Sequence, residues 1–366
     1  MLTEAMTLRR SSEASGRGPR FRARRASGLA ALALLLAALL ATLLVTQLTA
    51  CATPQFQESG PGAEAPRLDS DTVIADDGYR LPLRHWPAKG ERRAIVLGVH
   101  GFNDHSGSFT VLAEALTQED ITLYAHDQRG FGTTDQRGIW PGHARLAEDV
   151  TLVAELLRER YPETPLYLIG KSLGAAVAIL GLTGEAPPPV AGSVLISPAV
   201  WGFDTMPWYQ RLGLRLGVRL FPSMTFSART TQRLGIVATD DPEIKARMAE
   251  DPLILRHARI DTLYGVTQAM DAALAAAEAL PSPALVLYGG EDDIIPPAAI
   301  CVLLDRLSDD DAIRFAFYPE GYHMLTRYTK REQTEADLAA WLTDTAATLP
   351  SGHELSRKEA TRTLCD

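Results

Sequence analysis

Six short apolar runs mark the chain: Ala94–Val99, Ile121–His126, Leu166–Ile169, Ser193–Ile196, Ala284–Tyr288 and Ile313–Tyr318. Short, continuously apolar runs are the pattern of strands buried on both faces. Between them, stretches near 108–118, 144–160, 173–183, 297–307 and 333–346 space their apolar residues for helices. From about residue 71 strand and helix alternate, which predicts a mostly parallel central sheet flanked by helices, with ligands at the strands' carboxyl ends. The alternation breaks between about 200 and 280, where no run reads as a strand. Trp201, Phe203, Met206, Trp208, Tyr209, Phe221, Met224 and Phe226 crowd this stretch. Within it Arg211, Arg215 and Arg219 recur every four residues beside Leu212, Leu216 and Leu220, a narrow basic stripe on an apolar helix. The break predicts a helical cap inserted ahead of the fifth run, its aromatics lining a path for an apolar guest. The stripe reads either as a solvated helix face or as a lid face that meets lipid headgroups.

The first fifty residues follow a different pattern. Seven arginines from Arg9 to Arg25 precede Leu29–Val45, which is apolar except for Thr42. Leu48-Thr49-Ala50-Cys51 then resembles a bacterial lipobox, in which cleavage falls before the cysteine and the thiol carries diacylglycerol. Residues 1–50 are thus expected to be a lipoprotein signal peptide, with an uncleaved anchor helix as the alternative. Both readings export the rest of the chain. Arg24-Arg25 also hints at twin-arginine export. Residues 51–70, rich in Pro, Gly, Glu and Ser, read as a flexible tether, and 349–366 as a C-terminal tail.

Removing the leader, with its seven Arg against Glu4 and Glu13, takes the formal charge from −9 to −14. An acidic body argues against nucleic-acid binding, which rests on phosphate neutralisation, and against adhesion to anionic lipid through overall charge. Of three cysteines, Cys51 is accounted for by lipidation; Cys301 and Cys365 are either a disulfide or two unpaired thiols. No Cys-x-x-Cys or His/Cys cluster suggests a metal, and no cofactor is expected.

Chemistry concentrates at Gly170-Lys171-Ser172-Leu173-Gly174, between a strand-like and a helix-like run. A G-x-S-x-G in that setting is a nucleophile elbow, a strained turn that lifts a serine clear of a sheet. Serine needs a base to take its proton. His323, in the loop after the last apolar run, is placed for that role. The acid belongs after the preceding run, where Glu291, Asp292 and Asp293 stand together; G-x-x-D-x-[IV]-[IV]-P spacing selects Asp292, with Asp293 the fallback and Glu291 next. Two backbone N–H groups must meet the developing oxyanion. Leu173 supplies one, and Phe102, after His100-Gly101, the other. His100 reads as loop scaffold.

With these residues in place, the chain resembles the α/β-hydrolase superfamily, in the monoacylglycerol lipase and lysophospholipase-like branch often labelled serine aminopeptidase S33. The resemblance spans roughly 71–348. It rests on HGFNDHS at 100–106, DQRGFG at 127–132, GKSLG at 170–174, DPEIKARMAEDPL at 241–253, YGGEDDIIPP at 288–297 and YPEGYHML at 318–325. It implies a Ser172, Asp292, His323 triad, an oxyanion hole from Phe102 and Leu173, and a structural turn at Asp127 and Arg129. Lys171 stands where the family often has His, Glu or Gln, either assisting an anionic substrate or pointing to solvent; Ala175 replaces a frequent Gly. The implied activity is hydrolysis of carboxylic esters of monoacyl lipids, monoacylglycerol or lysophospholipid, through an acyl-enzyme. Alternatives are an aminopeptidase that binds a free amine through Asp240, Asp241 or Glu243, a general short-chain carboxylesterase, and a non-catalytic surface module. A dehalogenase is disfavoured because its elbow carries Asp.

Overall fold

The computed structural model describes residues 32–42, 53–227 and 235–365. Residues 32–42 form an exposed helix. Among the described residues, no helix is long and apolar enough to cross a membrane. The Leu48–Cys51 box lies outside the described residues.

The strands are β1 (Arg67–Leu68), β2 (Thr72–Ile74), β3 (Arg80–Trp86), β4 (Ala94–Val99), β5 (Ile121–His126), β6 (Leu166–Lys171), β7 (Gly192–Ile196), β8 (Thr225–Ser227), β9 (His257–Arg259), β10 (Ala284–Glu291), β11 (Ile313–Tyr322) and β12 (Glu354–Leu355). Ten of those described form one sheet in the order β1-β2-β3-β5-β4-β6-β7-β10-β11-β12. The run from β5 through β11 is parallel, while both edges are antiparallel. Alternation along β4 assigns its faces: Ile95, Leu97 and Val99 join one core, Ala94 and Val96 the other. Helices α1 (Thr110–Gln118) and α8 (Arg331–Thr343) cover the second face. The first is covered by α2 (His143–Arg160), α3 (Leu173–Leu182), α6 (Ile260–Ala276), α7 (Pro297–Arg306) and α9 (Arg357–Cys365).

Five expectations need correction. Residues 53–70 are not a tether but a strap on the domain: Phe56 bridges Trp140, Gln57 N donates to Trp140 O at 2.9 Å, and β1 pairs with β2. Backbone pairing outweighs the flexible composition here. The tail is also part of the fold, because β12 adds to β11 and α9 packs on α7, fastened by a Cys301–Cys365 disulfide. The cap is shorter than 200–280, since Val266, Ala269, Met270, Ala273 and Leu274 of α6 enter the main core. It also contains strands, the antiparallel pair β8 and β9, too short to show a period. Finally, most of the cap's apolar residues face outward, although Phe203 is buried against Tyr264 and Trp201 and Met206 are half-buried. Trp208, Tyr209, Leu212, Leu216, Leu220, Phe221, Met224 and Phe226 are all exposed rather than turned inward. In the cap helix α4 (Trp208–Leu220) only Val218 is buried.

The disulfide closes a separation of 64 residues. By the chain-entropy relation, a loop that long contributes up to about 4 kcal/mol. Cys365→Ser, or reduction, should therefore lower the urea midpoint markedly. An unchanged midpoint with and without dithiothreitol would mean that α9 docks without the bond.

Candidate active site

The elbow needs its two glycines because β4 and α3 leave no room for side chains there. A Cβ at Gly174 would stand 2.0 Å from the Val99 carbonyl oxygen, and one at Gly170 would stand 2.5 Å from Ala175 Cα. Between them Ser172 adopts φ 53° and ψ −118°, a region side-chain-bearing residues rarely visit. Its amide donates to Ile196 O of β7 at 2.9 Å. Helix α3 is buried nearly all round, which is why its sequence is apolar on every side.

The structure brings Asp292 and His323 together. His323 Nδ1 donates to Asp292 Oδ2 at 2.8 Å. Asp292 Oδ1 accepts from Ile294 N at 2.8 Å and Ile295 N at 2.9 Å, so the carboxylate is fixed in one orientation. A register irregularity between Gly289 and Glu291 interrupts the β10–β11 pairing, which resumes at Glu291 and Tyr322, and bulges of this kind re-aim the residues that follow. The other two acids are exposed: Glu291 lies at the strand end, and Asp293 Oδ2 accepts from Val237 N at 3.0 Å. Ser172, His323, Gly101 and Phe102 line one cavity of about 190 Å³ at the carboxyl edge of the sheet.

The loop after β4 carries Phe102 and is held from below. His100 is buried; its Nδ1 donates to Gly101 O at 2.8 Å and its Nε2 accepts from Gln128 N at 3.0 Å. Burial pushes His100 below its ordinary pKa, in keeping with one nitrogen donating and the other accepting. Asp127 accepts from Ser106 N at 2.8 Å and from Thr133 N at 2.9 Å. Arg129 is buried under the ring of Tyr79 and forks onto Asp77 and Asp149, with contacts from 2.7 to 3.1 Å. The 127–129 turn is therefore scaffold for the oxyanion loop.

Lys171 does not point to solvent. Its Nζ donates to the Ser108 carbonyl at 2.9 Å and lies 3.8 Å from the Phe109 ring centre. Sequence reasoning missed two of its neighbours in the cavity, Asp104 and Arg327, which form an ion pair. Asp104 was visible within the 100–106 motif; Arg327, four residues past His323, gave no signal.

Asp292→Asn should lower hydrolysis of an activated ester by at least about a hundredfold, because an amide favours the wrong histidine tautomer. Asp293→Asn should have little effect. Comparable losses in steady-state kcat for the two variants would move the acid away from Asp292.

Comparisons with known proteins agree with this arrangement. The family model described as serine aminopeptidase, S33 matches residues 90–329. The monoglyceride lipase of Homo sapiens is 28% identical over 265 residues, covering 71% of this chain and 85% of its own. The monoacylglycerol lipase of Mycolicibacterium smegmatis is 25% identical over 275 residues, covering 72% and 93%. A crystal structure of a soluble variant of monoglyceride lipase from Saccharomyces cerevisiae superposes with a TM-score of 0.64 at 19% identity, covering 80% of this chain and all of that one. With the elbow, the Asp292–His323 pair and the braced loop at the carboxyl ends of a parallel sheet, the chain belongs to the serine aminopeptidase S33 family of α/β-hydrolases, in its monoacylglycerol lipase-like branch.

Proposed function

We propose that the protein is a serine hydrolase that cleaves carboxylic esters of monoacyl lipids through an acyl-enzyme. The observation that carries this reading is the Asp292–His323 hydrogen bond beside a cavity that contains Ser172 on its strained turn. In the mechanism, His323 takes the Ser172 proton as the hydroxyl attacks the ester carbonyl, and Asp292 stabilises the imidazolium. The amides of Phe102 and Leu173 receive the oxyanion. His323 then gives its proton to the leaving alkoxide, and later activates the water that releases the acid. The names of the relatives support a monoacyl lipid as the substrate.

An aminopeptidase fits less well. The acids considered for binding a free amine are engaged elsewhere: Asp240 accepts from Thr329 N at 2.9 Å, Asp241 caps α5 (Pro242–Glu250) and pairs with Arg331, and Glu243 pairs with Arg247. The carboxylate that lines the cavity, Asp104, is already paired with Arg327, so it is not free to bind an ammonium.

The same reading places the enzyme outside the cytoplasm, lipid-anchored to a bacterial membrane through Cys51, with residues 1–50 as its signal. The basic and apolar leader and the Leu48–Cys51 box support this, as does a disulfide, which persists in oxidising compartments. The outward apolar face of the cap, flanked by exposed Arg215 and Arg219, suits a lipid surface.

Ser172→Ala should reduce kcat on monoacylglycerol by about 10³-fold or more and abolish fluorophosphonate labelling while the thermal midpoint holds. Retention of a tenth of the activity would overturn the elbow assignment. For the anchor, mass spectrometry should find a diacylglycerol-modified Cys51 at the mature N-terminus, and Cys51→Ser should leave the precursor intact. An unmodified Cys51 still joined to residues 1–50 would favour the anchor-helix reading.

A further inference from the structure

The cavity beside Ser172 holds charge that ester hydrolysis alone does not require. Lys171, Asp104 and Arg327 line it together with Ser172 and His323. All three are at least nine-tenths buried, at 8%, 8% and 9% exposure. Asp104 is already committed: Oδ2 accepts from Arg327 Nη2, and Oδ1 from His105 N at 3.0 Å. The contacts of Lys171 Nζ are with a neutral carbonyl and a ring face. Two basic groups thus face one carboxylate.

Nearby titratable groups do not restore the balance. His100 is held neutral by burial. Asp127 is bound by Ser106 and Thr133, and Asp251 by His105 at 2.9 Å. Burial, and then Arg327, pull Lys171 well below the ordinary ammonium range, while Asp104 pushes the other way. A buried cation without a partner is costly, so a second anion in the cavity would restore the ammonium and be held by it.

Position indicates which part of the substrate carries that anion. Arg327 follows His323 by four residues in the same loop, and Met324, Leu325 and Thr326 between them also line the cavity. His323 delivers its proton to the leaving alcohol, and Arg327 lines the same cavity from the same loop. At about 190 Å³ the cavity is below the range of about 300–1,000 Å³ that encloses a drug-sized ligand. It suits one end of an ester. A guanidinium fork and an ammonium point charge together match phosphate, which offers oxygens to both.

We propose that Lys171 and Arg327 form a phosphate-recognition site on the leaving-group side of the catalytic cavity, so that the preferred substrate is a monoacyl ester whose alcohol carries a phosphate. This rests on the ester-hydrolase reading above and names the substrate class within it. Lys171 acts as a specificity determinant rather than as a member of the proton relay.

The test compares two soluble short-chain substrates with the same acyl group, a monoacylglycerol and the corresponding acylglycerol phosphate. The wild type should show kcat/KM at least about tenfold higher for the phosphate ester, as expected for one charge-assisted contact. Lys171→Met should collapse that ratio, chiefly through KM, and Lys171→Arg should restore most of it. A Lys171 that only braces the elbow would lower both substrates together and leave the ratio unchanged, which overturns the proposal. So does a wild type that prefers the neutral ester. In a separate binding arm, glycerol 3-phosphate should slow fluorophosphonate labelling of the wild type at concentrations where glycerol and inorganic phosphate do not. Equal protection by inorganic phosphate would reduce the site to one for a free anion and overturn the substrate assignment. Turnover of p-nitrophenyl butyrate separates the failures: its absence sinks the hydrolase reading itself, while its presence with an unchanged ratio sinks only phosphate recognition.

Discussion

The strained turn at Ser172 is the constraint on which the rest of the site depends. Backbone in such a region costs on the order of 1–3 kcal/mol and persists only where its surroundings leave no alternative. Here they do. The Ser172 amide is taken by Ile196 O, and its carbonyl receives Ala175 N at 2.9 Å and Ala199 N at 3.1 Å. Val99 O crowds Gly174, and the first turn of α3 crowds Gly170. β4 and β7 therefore clamp the turn from both sides, and a parallel sheet is what brings their carboxyl ends to the same edge. The serine hydroxyl gains a fixed direction toward the cavity from packing that contains no catalytic group.

Fixing one oxygen is useful only if the oxyanion loop and the histidine hold still relative to it. The loop is braced by groups that would look unrelated in sequence. Gln128 takes His100, Asp127 takes Ser106, and Lys171 takes Ser108. The first two come from the turn after β5, the third from the elbow itself. His105 reaches the end of α5 at Asp251, and Leu255 N donates to Asn103 O at 3.0 Å. The loop is thus tied to both the body and the cap. His323 is oriented differently, through a carboxylate that two backbone amides hold after the β10 irregularity.

Much of this was legible because it depends on local pattern. The six apolar runs all became strands of the central sheet, since burial on both faces leaves a continuous apolar signature. Asp292 could be told from Asp293 by spacing, because the amides of Ile294 and Ile295 must reach back to it. What stayed hidden depends on distant partners. β2 and β3 pair antiparallel at an edge, where alternation is too brief to stand out. The strap at 53–70 is ordered by Trp140, Asp77 and Asp261, and none of these is suggested by its Pro and Gly content. The cap's aromatics were assigned an inward role because apolar residues are usually buried; in Trp208–Leu220 they are not. Arg327 owes its importance to Asp104, which is 223 positions away.

A monoacyl ester has an apolar arm and a polar head, and the two are met by different chemistry here. The cavity at Ser172 is small and sets Lys171, Asp104 and Arg327 beside Phe102, Ile196, Ile294 and Leu325, so charged groups for the head stand next to apolar ones. Apolar surface of the matching kind lies on the outside of the cap, along Leu212, Leu216 and Leu220. The cap helix contributes one buried residue, Val218, and its continuation is pinned near Pro222 and Met224, whose carbonyls accept from Asp261 N and Ile260 N. A segment with so few buried contacts is the part of a domain that opens at least cost. Residues 104, 171 and 327 lie in the cavity and the exposed leucines lie on the cap, so the charged and the apolar surface are carried by separate elements of the chain.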